Sequence, residues 1–164
     1  KMDVNIILAP RHPERVNQVL RDLEAHGLSG IRTSKISGDF NYQKKINEVL
    51  VFDEVGDLIN LYSTADLAIV AGSIKYSKGH NFMEPIFVNT LSITGSNLEN
   101  YKELKEELCD TNIIETFDKS NQLRALVDKY KDENIRQEKL AAQKLALKNM
   151  AGSYDEIIKF LDEL

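Results

Sequence analysis

Short apolar runs alternate along this chain with stretches whose apolar residues recur every three or four positions. That alternation predicts strands separated by helices. Val4 to Ala9 reads as strand one. Pro13 suits the first turn of the next helix, where its missing N–H would have no intrahelical partner. Val16, Leu20 and Leu23 keep helical spacing, and Gly27 stops the helix. Ile31 to Ile36 predicts a weak second strand, and Ser37 to Asn47 a polar loop of low order. Val49 to Phe52 is a third strand, followed by the loop Asp53 to Asp57 and a helix with Leu58, Leu61, Tyr62 and Ala65 on one face. Leu67 to Ala71 is apolar on both faces and predicts a fourth, central parallel strand. Thr90 to Thr94 predicts a fifth strand and Ile113 to Phe117 a sixth, at the sheet edge. From Lys119 onward the pattern is helical. One stripe carries Leu123, Leu126, Val127 and Tyr130, another Leu140, Ala141, Leu145 and Met150. Gly152-Ser153 is expected to break the run, with Ser153 capping a last helix that carries Ile157, Ile158, Leu161 and Leu164. The order predicts an α/β fold, a doubly wound parallel sheet with extra C-terminal helices, and residues 1–164 as one domain.

Polar chemistry gathers in the segments that follow the strands, which line the ligand-binding edge of an open α/β sheet. After strand one comes Pro10-Arg11-His12-Pro13-Glu14-Arg15, after strand three Val55-Gly56-Asp57, and after strand four Gly72-Ser73 through Glu84. The last is the richest. Gly79-His80-Asn81-Phe82-Met83-Glu84-Pro85 offers a glycine for close backbone approach, the start of a short helix suited to a phosphate, and a carboxylate that can accept from hydroxyls. A phosphate-bearing sugar nucleotide would use all three. Each residue also has a plainer role. Arg11 could pair with a surface carboxylate, Arg15 could be a surface cation, and His12 could only cap a helix. Glu84 could merely favour a helix N-terminus. Lys75 and Lys78 read as solvated loop charges, and Tyr62 and Phe87 as core.

Composition narrows the classes. The chain has 164 residues, 42% hydrophobic and 29% charged, as in an ordinary globular protein. A net charge of −5 and a pI near 5.3 argue against non-specific nucleic-acid binding, which wants a basic face. Cys109 is the single cysteine, so no disulfide forms within the chain, and a structural thiol is the expectation. His12, His26 and His80 lack metal-ligand spacing, so no metal site or cofactor is expected. There is no G-x-S-x-G elbow, no Walker A loop and no G-x-G-x-x-G after strand one. No apolar run approaches the roughly 18–20 residues that span a bilayer. The abrupt start on a strand suggests a domain cut from a longer protein.

Ala9-Pro10-Arg11-His12-Pro13-Glu14-Arg15, Asp53 to Leu58, Leu61-Tyr62-Ser63-Thr64-Ala65-Asp66, Gly72-Ser73 and Gly79-His80-Asn81-x-x-Glu84-Pro85 occur here in one consistent order. Together they resemble the 3-deoxy-D-manno-octulosonic acid (Kdo) transferases, GT-B-type glycosyltransferases of lipopolysaccharide synthesis in Gram-negative bacteria. The family usually has two glycines where this chain has Ala71-Gly72, often Pro-Leu at Phe82-Met83, and often Met-Gly-Glu at Val55-Gly56-Asp57. The resemblance implies the C-terminal, Rossmann-like half of a two-domain enzyme. That half binds the donor, CMP-Kdo; the absent N-terminal domain binds the lipid A precursor and supplies the catalytic base, so no catalytic residue is expected in this chain. Carried over by motif, the CMP contacts fall on Pro10, Arg11, Val55, Gly56, Asp57, Asn81, Phe82, Met83 and Glu84. Gly72, Ser73, Gly79 and His80 would support them. Glu84 would accept from the ribose hydroxyls, and N–H groups near Asn81 would receive the phosphate. The intact enzyme is expected on the cytoplasmic side of the inner membrane, and this domain alone in solution. A UDP-sugar transferase of the same architecture is the rival enzyme reading, and a non-catalytic nucleotide-binding or interaction module the rival of another kind.

Overall fold

The computed structural model describes residues 4–36, 43, 45–56, 58–74 and 80–162, with side chains up to residue 150. Asp57, Gly79, Lys75 and Lys78 lie outside the described residues, as does most of the expected loop from Ser37 to Asn47. The chain divides into two compact units, Lys1–Leu58 and Ile59–Leu164.

In the first unit, β1 (Ile7–Leu8), β2 (Ser29–Arg32) and β3 (Glu48–Val51) form a parallel sheet in the order β1-β3-β2. The register pairs Leu8 with Val51, and Arg32 with Val51 on the other side. Between β1 and β2 the chain makes a 3₁₀ turn, Pro13–Arg15, and then α1 (Val16–Ala25). Proline at the head of that turn fits, because its fixed φ is helical and its missing donor costs nothing there. Gly27 ends the segment with φ +72°, a left-handed backbone that glycine adopts freely. α1 packs close on β2: a Cβ at Gly30 would lie 2.6 Å from Leu20 Cδ2. The strand expected at Ile31–Ile36 is two residues early, because Thr33–Lys35 turns into a 3₁₀ segment held by Asp53.

In the second unit, α2 (Leu58–Ser63) precedes β4 (Leu67–Val70), and the parallel sheet runs β4-β5-β6, with β5 (Leu91–Gly95) central and β6 (Thr116–Phe117) at its edge. Within each unit the strands are parallel and are mixed with helices, the α/β class that the pattern predicts. One expectation is reversed. The apolar run of β4 predicts a central strand, but within its own sheet β4 is an edge strand, and Ile69 is 41% exposed. β5 fills the central place, with all five residues buried.

The core of this unit joins Val70, Phe82, Ile86, Leu91, Ile93 and Leu108 to Phe117 and Tyr130. The one-turn α3 (Glu84–Phe87) turns Pro85 and Ile86 inward and leaves Phe87 66% exposed, so Phe87 is not a core residue. One turn of helix has room for only one inward face. After α4 (Lys102–Leu104) the backbone continues as a π-helical turn to Cys109, whose thiol is buried and pushed up to about 11, chiefly by that burial. α5 (Ser120–Lys129) packs through Leu123 and Leu126.

α6 (Glu133–Asp162) runs without a break through Gly152-Ser153, against the expected stop. A single glycine lowers helix stability by only about 1 kcal/mol, and the strong helix formers before it carry the turn through. Its inward stripe is Leu140, Gln143, Leu147 and Met150, not Ala141 and Leu145; the latter is 59% exposed. No helix among the described residues is long and apolar enough to cross a membrane.

Candidate nucleotide-binding site

The first unit places two of the sequence-predicted segments after neighbouring strands. Pro10 and Arg11 follow β1, and Val55 and Gly56 follow β3, at the carboxyl edge of one parallel pair. Pro10 is half-buried, Arg11 exposed, and Val55 86% exposed. Gly56 has φ +94°, so the turn after β3 requires a residue without a Cβ. The His12 side chain does not cap the backbone of the 3₁₀ turn it precedes; its Nδ1 lies 3.3 Å from Glu14 Oε1 within that turn.

Asp53 shapes this edge. Its carboxylate accepts from the Ser34 N–H (3.0 Å), Ser34 Oγ (2.8 Å), Thr33 Oγ1 (3.3 Å) and Arg32 Nη1 (3.4 Å). Burial works to raise its pKa, but the bonds from Ser34, Thr33 and Arg32 outweigh it and hold the carboxyl below its ordinary value. Arg32 is fixed in turn by Asn17 Oδ1 at 2.6 Å.

The second unit brings together most of the third segment. Gly72 and Ser73 lie in a 3₁₀ turn directly after β4. The His80 ring rests on Gly72: a Cβ there would sit 2.8 Å from the ring carbons. These two predicted residues therefore touch, and glycine at position 72 is a steric requirement of His80. Ser73 Oγ meets Thr94 Oγ1 at 2.8 Å, and Thr94 Oγ1 donates to the Val70 carbonyl at 3.0 Å. Gly95 lets the two strand ends approach, since a Cβ would lie 2.6 Å from the Ser73 carbonyl carbon.

The turn Asn81–Glu84 is stiffened from within and from below. Asn81 Oδ1 accepts from the Met83 N–H at 3.1 Å, and the Phe82 carbonyl accepts from Ser92 Oγ at 2.6 Å. Phe82 is fully buried, edge-on to Tyr101 with ring centroids 5.6 Å apart. The Phe82 ring is thus withheld from any ligand. Met83 is half-buried against the core. Glu84 is half-buried at the first position of α3, and its charge adds to burial in raising the Tyr62 hydroxyl. Tyr62 is also half-buried, and its carbonyl accepts from Thr90 Oγ1. Among the described residues, no group of three or more His, Cys, Asp or Glu could hold a metal.

Several residues of this architecture escaped the sequence reading. Ser92 and Thr94 carried a signal: two hydroxyls alternating inside an apolar strand must find partners when buried. Gln143 carried none, because a polar residue in an amphipathic helix reads as solvent-facing.

No protein-family model matches the sequence. The Kdo transferase of Chlamydia muridarum is 32% identical over 163 residues, which are 97% of this chain and 37% of that protein. The Kdo transferase of Bordetella pertussis is 36% identical over 98 residues, 60% of this chain and 22% of its own length. A bifunctional glycosyltransferase/methyltransferase of Fusobacterium nucleatum is 27% identical over 103 residues, 63% of this chain and 16% of its own length. The chain thus spans little more than a third of the longest-matching of these relatives, and less of the others. Among solved structures, the C-terminal CMP-Kdo binding domain of WaaA from Acinetobacter baumannii superposes with a TM-score of 0.76 at 23% identity, covering 87% of this chain and 73% of that one. The chain thus shares the α/β fold of that solved domain. By sequence the chain is similar over nearly its whole length to one 3-deoxy-D-manno-octulosonic acid transferase, and over 60% of its length to another.

Proposed function

We propose that this chain is the donor-binding domain of a Kdo transferase, a single nucleotide-sugar domain over residues 1–164 that holds CMP-Kdo. The observation that carries the reading is its kinship, over nearly its whole length, with a Kdo transferase. The likeness in fold to a CMP-Kdo binding domain supports it. Glu84 accepts from the ribose hydroxyls of CMP, N–H groups near Asn81 receive the phosphate, and Phe82 and Met83 are proposed as contacts from their place in the motif. Pro10, Arg11, Val55, Gly56 and Asp57 are proposed as further contacts from their place in the family motifs. Gly72, Ser73, Gly79 and His80 support the turn.

In the whole enzyme, Kdo passes from CMP to a hydroxyl of a lipid A precursor at the cytoplasmic face of the inner membrane. A base on another domain deprotonates the acceptor. The part of this chain is to orient the donor and to stabilise the charge that gathers on the departing CMP phosphate. No step is assigned to a metal.

Amide-shift mapping tests the reading. Adding CMP is expected to move the resonances of Asn81 to Glu84 and of Gly56 and Arg11. Shifts confined to α6, or stronger shifts with UMP, would contradict it; the latter would point to a UDP-sugar donor.

A further inference from the structure

The turn Asn81–Glu84 is fastened to the sheet at one atom, the Phe82 carbonyl, which Ser92 Oγ holds at 2.6 Å. Ser92 is fully buried in the middle of β5. In a parallel ladder, the N–H and C=O of a residue face the same neighbour. Those of Ser92 face the β6 side, as does the Thr94 N–H, which donates to the Glu115 carbonyl at 3.2 Å. But β6 begins only at Thr116, opposite Thr94. Beside Ser92 the ladder has no strand, and the Gln143 amide stands in for one. Gln143 Oε1 accepts from the Ser92 N–H at 3.1 Å, while Nε2 donates to the carbonyls of Ser92 at 2.8 Å and Ile113 at 3.2 Å. Gln143 is 1% exposed, deep on the inward stripe of α6.

A leucine would fill that space but leave the Ser92 N–H and the carbonyls of Ser92 and Ile113 buried without these partners, so the glutamine first of all satisfies the backbone. What the amide adds is position. It fixes the register of α6 against β5 and, through the Ser92 backbone, the donor that holds the Phe82 peptide. We infer that Ser92 and Gln143 are positioning residues for the donor-binding turn, setting the Phe82 peptide from α6 through the backbone of β5. The inference rests on the reading of Asn81–Glu84 as the nucleotide site.

The experiment uses the full chain with Ser92→Ala, Gln143→Met, the double variant, and Lys144→Ala. The last removes a neighbouring α6 contact, Lys144 Nζ to Asn89 Oδ1. CMP affinity is measured well below every melting temperature, so that it reports the folded state. Ser92→Ala is expected to weaken CMP binding by roughly three- to tenfold, the weight of one hydrogen bond. Gln143→Met should weaken it by a smaller factor, and the double variant should match Ser92→Ala alone, because both act through one carbonyl. Lys144→Ala should bind as wild type. A purely structural role would instead lower melting temperatures additively and leave affinity unchanged, and that result overturns the inference.

The carbonyl-carbon resonance of Phe82, read without ligand, gives a second arm. It should move in Ser92→Ala and in Gln143→Met. A resonance fixed in both overturns the fastening itself. If wild type does not bind CMP, the donor-domain reading falls and takes the functional half of the inference with it, while the Phe82 resonance still decides the fastening. Ser92→Cys keeps the shape with a weaker donor and carries the same expectations where Ser92→Ala does not fold.

Discussion

Glu84 is the residue on which the proposed site depends most. If it accepts from the ribose hydroxyls, as proposed, its charge matters as much as its shape. Hydrogen bonds to charged groups contribute about 1.5–3 kcal/mol, so Glu84→Gln should weaken CMP binding by roughly ten- to a hundredfold. A 2′,3′-dideoxy analogue should bind wild type and variant alike. If Glu84 only favours the first turn of α3, the variant melts slightly lower and binds CMP unchanged. Calorimetric titration together with thermal melting separates the two. Gly95 makes a different prediction. The atoms a Cβ would meet belong to the Ser73 backbone, which has little room to retreat. Gly95→Ala should therefore destabilise by about 1–3 kcal/mol, the usual range for overpacking, as read from urea unfolding. At this scale the sequence showed the residue types of the turn but not their division of labour. Gly72 and His80 stand apart in the chain, and only the fold reveals that one makes room for the other. Phe82 carries over as a contact at a motif position where the family often has Pro, yet its ring belongs to the core.

The helical tail is clamped to the second sheet through Glu115, the residue just before β6. Its carboxylate accepts from Lys129 Nζ at 2.7 Å and from the Tyr130 hydroxyl. Burial would raise the Glu115 carboxyl, but the bonds from Lys129 and Tyr130, with the nearby charges of Lys139 and Lys129, hold it below its ordinary value. A carboxyl lowered in the folded state stabilises fully above its unfolded value, and the contribution is lost as pH falls through the folded value. Stability should thus decline below about pH 4.5, the ordinary glutamate value. Glu115→Gln should flatten that decline while lowering stability at neutral pH. Tyr130 is raised, by burial first and then by Glu115, so its share persists up to about pH 10 and is lost above it. Melting followed across pH 3 to 7 checks the acid limb; a variant that declines as steeply as wild type would remove Glu115 from the account. The strands with strong apolar runs, β3, β4 and β5, were legible to within a residue or so, as was Pro13 opening the first helical turn. The errors follow from packing. A run apolar on both faces fits a central strand, but β4 keeps one open side in its own sheet, and β5, whose hydroxyls disguise it, is the buried one. Leu145 and Phe87 fit helical stripes by spacing, but spacing does not say which stripe meets the sheet.

On the proposed reading, the chain carries the donor side of a glycosyl transfer, and the base that activates the acceptor lies on another domain. Holding acceptor and base against the donor supplies much of the rate of such a reaction. The chain mixed with CMP-Kdo and a lipid A precursor should therefore form no Kdo-lipid product above the spontaneous hydrolysis of the donor. Product formed at a clear excess over that background would mean that a catalytic base lies within these residues. The central claim is that this is a CMP-specific nucleotide domain, and titration calorimetry of the full chain with CMP, UMP and AMP tests it most directly. The account predicts that CMP binds most tightly of the three, with a dissociation constant on the order of micromolar to millimolar, since one domain makes only part of the contacts of a closed cleft. Equal or tighter binding of UMP would contradict it.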